Sequence, residues 1–129
     1  MDSVDAPGPA ASLVSDVFAR ACTSREAFEG VTSRWSSLVL LALGEGPHRF
    51  GELRRRVEGV SERMLAQALR GLERDGLVSR ADAGTIPPRV DYALTPLGEA
   101  VATGLRDLAD VLEAAVPAID RARVDYDAR

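Results

Sequence analysis

A chain of 129 residues is long enough for one domain with one core and leaves little for a second. Hydrophobic residues make up 46% and charged residues 28%, a globular balance that excludes collagen-like, disordered and membrane-spanning classes. The longest apolar run, Leu38 to Leu43, falls far short of the roughly 20 residues of a spanning helix. The start, Met1-Asp2-Ser3-Val4-Asp5, lacks the basic and apolar regions of a signal peptide. A cytoplasmic location is the expectation. A single cysteine, Cys22, and a single histidine, His48, leave no internal disulfide and no Cys/His cluster, so neither a metal nor a cofactor is expected.

The net charge of -4 taken alone argues against a nucleic-acid partner, but it is unevenly spread. Residues 1–47 carry three Arg and six acids, residues 48–90 nine Arg and six acids, and residues 91–129 four Arg and eight acids. The middle is a basic island whose field, screened within about 8–10 Å, survives its acidic flanks. The alternative is a solvated surface with chance clustering.

Residues 1–11, with two prolines, a glycine and no apolar period, are expected as a disordered tail. Leu13, Val14, Val17, Phe18 and Ala21 recur at helical steps and predict a short helix ending near Cys22. Thr23-Ser24-Arg25-Glu26 offers a capping box for a second helix through Phe28 and Val31. Trp35 to Ala42 then predicts the most apolar helix, closed by Gly44-Glu45-Gly46-Pro47, after which His48 falls in a loop. Phe50, Leu53 and Val57 mark the inner face of a helix carrying Arg54, Arg55 and Arg56 outside. After the interruption Glu58-Gly59-Val60, Ser61 caps a helix running to Asp75 and closed by Gly76, and two helices so joined are the signature of a helix-turn-helix. Leu77 to Ala81 and Arg89 to Leu94 alternate around a Gly/Pro-rich tip, a hairpin, and the sum is a winged helix. Thr95-Pro96 opens one long last helix. Its stripe of Leu97, Val101, Leu105, Leu108, Leu112, Val116 and Ile119 calls for a cover, and a second subunit over its distal part is the expectation. Packing against the chain's own N-terminal helix is the alternative.

The chemistry concentrates after Ser61. Leu65, Ala68, Leu69 and Leu72 form one face of that helix, and Arg63, Gln67, Arg70 and Arg74 the other, with no acid along their line. Arginine can bridge the two acceptors of guanine, and glutamine can pair with adenine's donor and acceptor. Arg74, far from the helix start, is expected to reach phosphate at best. Arg49 and Arg54 are candidates for phosphate, which orients a protein without reading sequence. Arg89, at the base of the wing, suits phosphate or a narrow minor groove, with an ion pair to Asp91 or Asp82 as the equal alternative. There is no phosphate loop, no nucleophile elbow and no carboxylate pair beside the histidine, so no enzyme site emerges.

Arg34-Trp35, the run RFGELRRRVEGVSERMLAQALRGLERDGLVSR and the stretch Pro87 to Gly98 together resemble the HxlR-type winged-helix transcription regulators, over roughly residues 22–112. The resemblance implies a two-fold dimer built from N- and C-terminal helices, the helix after Ser61 in the major groove and the wing beside it. It also implies that a cysteine at the place of Cys22 serves some members as a sensor of oxidants. Here Thr23 follows Cys22 where the family has proline, and Ala66 and Ala68 stand where it often has a polar and a basic residue. Cys22 is thus either a thiolate sensor or a small buried hydrophobe.

The expected organisation is a tail over 1–11 and one winged-helix domain over 12–129. Within it, 49–95 would read DNA, while 12–43 and 96–124 would dimerise through residues that include Leu105, Leu108, Leu112 and Val116. The expected function is a dimeric DNA-binding regulator, a repressor of neighbouring genes on a palindromic operator of double-stranded DNA, with a small-molecule effector possible and no membrane partner. A redox- or ligand-responsive winged helix with little DNA affinity is the alternative.

Overall fold

In the computed structural model, which describes residues 16–129, paired helices are interspersed with short strands. They are α1 (Thr23–Val31), α2 (Arg34–Leu43), β1 (His48–Arg49), α3 (Phe50–Arg56), α4 (Glu62–Arg74), β2 (Val78–Asp82), β3 (Val90–Leu94), α5 (Pro96–Ala114) and α6 (Val116–Asp127). Helix α2 is the centre: Val39 and Leu40 are fully buried, and it packs on α4, α5 and α3. Leu53 of α3 and Leu65, Leu69 and Leu72 of α4 close on it, with Leu77 and Val78 sealing the end towards the sheet. Each such side chain contributes about 1.5–3 kcal/mol by leaving water, which is what holds four short helices at fixed angles.

The turn between α3 and α4 is anchored mainly by burial, with one long backbone bond of its own, from the Val60 N–H to Val57 O at 3.4 Å. Val57 and Val60 both point into the core, and between them Gly59 takes a φ of +93° that side chains rarely adopt. Ser61 then caps α4 by accepting the Met64 N–H at 3.1 Å. The wing is a three-stranded antiparallel sheet in the order β1-β3-β2, with His48 opposite Tyr92, Arg49 opposite Asp91 and Arg80 opposite Tyr92. One knot ties wing, α4 and α5 together: Thr95 donates from its N–H to Leu77 O (3.0 Å) and from Oγ1 to Gly76 O (2.6 Å), and accepts the Gly98 N–H (3.0 Å).

Five expectations need correction or qualification. Leu13 and Val14 of the first expected helix lie outside the described residues, as does the expected tail. Val17 to Ala21 form turns, because the Asp16 carboxylate takes the Phe18 N–H (2.9 Å) and Arg25 takes the Phe18 carbonyl (3.0 Å), bonds that compete with a helix. The N-cap of α1 is Cys22, one residue before Thr23, and no side chain caps it. His48 belongs to strand β1, with Nδ1 2.7 Å from Gly46 O. The long last helix is two helices that meet at Ala115, since Pro117 has no N–H to continue the ladder and its ring crowds the preceding turn. Along the apolar stripe Leu105 is half-buried against the chain's own core, whereas Leu108 (54%), Leu112 (50%) and Val116 (48%) are exposed, with Val111 beside them.

Candidate nucleic-acid interface

Helix α4 owes its orientation to its amphipathic pattern. With Leu65, Ala68, Leu69 and Leu72 buried, the opposite face must carry Arg63, Gln67, Arg70 and Arg74, and all four are exposed. Among the described residues none of these side chains makes an ion pair or a hydrogen bond. The acids of the helix, Glu62 and Glu73, sit on a different arc. A free N-terminal turn led by a capped serine adds a positive dipole end beside the guanidinium of Arg63. The Ser61 oxygen is occupied as an acceptor, but its hydroxyl hydrogen remains able to donate to a phosphate.

Two of the other basic candidates, Arg54 and Arg89, are paired with carboxylates. Arg54 on α3 reaches across the turn to Glu62 at the start of α4, Nη1 to Oε1 3.3 Å. Arg89 meets Asp91 at 3.4 Å, and the register sets Arg49 directly opposite the same aspartate on the central strand. Arg49 also ends β1 and caps α3, its N–H bonded to Glu52 Oε1 at 2.7 Å, a bond that with burial working against it holds the Glu52 carboxyl below its usual range. Arg56 faces away from the reading helix and pairs with Glu45, Nε to Oε1 2.8 Å, which depresses the Glu45 carboxyl and raises the guanidinium. The partnering of Arg54 by Glu62 was not legible beforehand: eight residues across a turn is not a spacing that predicts contact. At the tip, Ile86 stands almost wholly in solvent.

Cys22 lies apart from this surface. It is buried, and the Ser24 hydroxyl 3.1 Å from Sγ holds its thiol below the ordinary value, helped by backbone bonds around Asp16 and Ser24 and opposed by burial. Among the described residues no cluster of His, Cys, Asp and Glu is placed to hold a metal, and no helix is long and apolar enough to cross a membrane.

The HxlR-like helix-turn-helix pattern matches residues 30–120, which spans every element from the end of α1 to the start of α6. The chain belongs to this family. It is 51% identical to the uncharacterized HTH-type transcriptional regulator YtfH of Escherichia coli over 104 residues, covering 81% of this chain and 82% of that one. Among solved structures, the transcriptional regulator ytfH from Salmonella typhimurium superposes with a TM-score of 0.78 at 49% identity, over 84% of this chain and 96% of that one. Diamide-treated YodB from B. subtilis gives a TM-score of 0.62 at 29% identity, over 74% and 96%. The small sheet beside a helix-turn-helix is the winged helix of these regulators. As an HxlR-like protein the chain is thus a DNA-binding regulator of transcription.

Proposed function

We propose that the protein is a homodimeric repressor that reads a palindromic operator with one α4 per half-site. The observation that carries this is the outward face of α4: three guanidinium groups and one amide, exposed, unpaired and aligned, on a helix whose N-terminal turn is capped and accessible. Arg63 and Gln67, nearest the helix start, read base edges; Arg70 and Arg74 reach the backbone, and Arg49, Arg54 and Arg89 position the wing and α3 on phosphates. Dimerisation runs through α5 and α6, where Leu108, Leu112 and Val116 leave an apolar strip that a second copy covers. Such a protein works wherever the DNA is, in the cytoplasm.

Selection on randomised duplexes, followed by gel-shift titration of the selected site and a scrambled one, tests the assignment. Arg63→Ala or Gln67→Ala should weaken the selected site by about 1–3 kcal/mol per half-site and leave the scrambled site nearly unchanged. Arg49→Ala should weaken both alike. Equal losses on the two duplexes for Arg63→Ala remove it from the base-reading set.

A redox-responsive reading has one specific support, the thiol of Cys22 held towards its reactive form at the cap of α1, together with a relative studied both diamide-treated and reduced. It adds regulation to DNA binding rather than replacing it. Diamide should then weaken operator binding by the wild type and not by Cys22→Ser; identical responses leave Cys22 as packing.

A further inference from the structure

Beneath α4 a cleft of about 570 Å³ opens between α1, the start of α2 and α4 itself. Its apolar lining is Trp35, Met64, Ala68 and Leu72. Gly30 and Gly71 leave its sides open, because a Cβ at either would meet nothing within 4 Å. This volume and lining suit a small molecule.

The polar atoms of the cleft are poorly served by the chain. Ser36, in the first turn of α2, is only 8% exposed, and its hydroxyl has no hydrogen-bond partner among the described residues. Buried hydroxyls are almost always paired, so an orphan lining a cleft points to a partner the chain does not supply. Two guanidinium groups border the same space, Arg34, which lies 4.5 Å over the Trp35 ring, and Arg74 near the end of α4. Neither makes an ion pair among the described residues. Glu26 and Asp75 also border the cleft and balance its two arginines, which disfavours a polyanion and leaves the choice of ligand to the donors of Ser36, Arg34 and Arg74. A carboxylate accepts from guanidinium, hydroxyl and amide donors alike, and the apolar lining calls for a nonpolar body attached to it.

We propose that this cleft is an effector site for a small organic acid with an apolar body, of the aromatic monocarboxylate class. The carboxylate takes donors from Ser36, Arg34 and Arg74, and the ring lies against Met64, Leu72 and the edge of Trp35. Arg74 and Gln67 line the cleft and also belong to the reading face of α4, so occupancy withdraws them from DNA, and ligand and operator oppose each other. The coupling, though not the binding, rests on the proposed reading of DNA by α4.

The test uses the full-length protein with benzoate as the probe and benzamide as its neutral counterpart, followed by calorimetry and by the fluorescence of Trp35, the chain's single tryptophan. Benzoate should bind saturably, once per subunit, and benzamide at least tenfold more weakly. Ser36→Ala should weaken benzoate about fivefold, and Gly71→Leu, which fills the cleft from an exposed position, should abolish binding with helical circular dichroism unchanged. Saturating benzoate should weaken the operator complex by the same factor as operator weakens benzoate. No saturable binding, equal affinity for the two probes, or full binding by Gly71→Leu overturns the site. Dissociation of the dimer by Gly71→Leu makes the cleft a subunit seam and overturns it too. Benzoate binding that leaves operator affinity untouched overturns the effector role. A protein that binds no DNA at all counts against the proposed repressor and not against the site, since the calorimetry contains no DNA.

Discussion

Gly98 sits where α5 crosses the root of the wing, and a Cβ built on it would lie 2.0 Å from Leu77 O and 3.0 Å from Leu77 C. Both neighbours are backbone, so neither can swing aside as a flexible side chain would. For Gly98→Ala the carbonyl and the helix must part by more than about 1 Å to reach van der Waals contact. Overpacking of this kind costs about 1–3 kcal/mol. Parting also strains the Thr95 N–H to Leu77 O bond (3.0 Å), and a lost hydrogen bond adds about 1 kcal/mol. A total of about 3 kcal/mol should lower the thermal midpoint by about 10 °C in a domain of this size. Gly71→Ala is the matched control. Its new methyl meets nothing within 4 Å on a helix, and it should stabilise by up to about 1 kcal/mol through helix propensity. Chemical denaturation of both variants at one protein concentration measures the two effects. A Gly98→Ala protein within 1 kcal/mol of wild type would mean that the wing and α5 yield freely, and the rigid knot at Thr95 would have to be abandoned.

Glu62 competes with DNA phosphates for Arg54 across 3.3 Å, so Glu62→Gln should raise affinity for scrambled duplex by up to about fivefold at low salt. The gain should vanish in an Arg54→Ala background; the same gain in both backgrounds would reduce it to general repulsion between Glu62 and DNA. Charged residues at Leu108 and Leu112 together should abolish the dimer and with it affinity for the full operator, because an unpaired charge in an apolar seam is costly. Light scattering showing a folded dimer of that double mutant would move the interface elsewhere. The Cys22 thiol, held down by Ser24, should alkylate with a pH midpoint below the ordinary value of 9.0, and Ser24→Ala should shift the midpoint upward. An unchanged midpoint in Ser24→Ala would leave the cause with the backbone bonds alone.

What was readable from the chain is what local physics decides. The Ser61 cap, the glycine at 76 and the four- and three-residue steps of Leu65, Leu69 and Leu72 fix where α4 starts, ends and faces. Those same constraints dictate that Arg63, Gln67, Arg70 and Arg74 point outward. The misses have the opposite character. Strand β1 is two residues long, too short to carry an alternation, and exists because β3 offers Asp91 and Tyr92 as partners far along the chain. The turns at Val17 to Ala21 follow from side-chain bonds of Asp16 and Arg25, one of which spans seven residues. The break at Ala115 was locally available, in Pro117, but a proline at the first turn of a new helix and one inside a continuing stripe look alike when the apolar period runs through both.

The same distinction divides the proposed interface. Residues on the reading face of α4 owe their freedom to a pattern within one helix, whereas the cations outside it depend on tertiary placement. Arg54 and Arg89 already hold Glu62 and Asp91, and Arg49 stands opposite Asp91 in the strand register. A surface so arranged pays little electrostatic attraction to phosphate in general, because much of its positive charge is neutralised at home. On the helix that enters the groove, by contrast, Arg63, Gln67, Arg70 and Arg74 have no side-chain partner among the described residues. Discrimination between an operator and other DNA depends on the difference between the two affinities, and engaging Arg54 and Arg89 internally lowers the sequence-independent one. The overall acidity of the chain then works in the same direction, opposing indiscriminate adsorption while the basic island over residues 48–90 acts only at contact range.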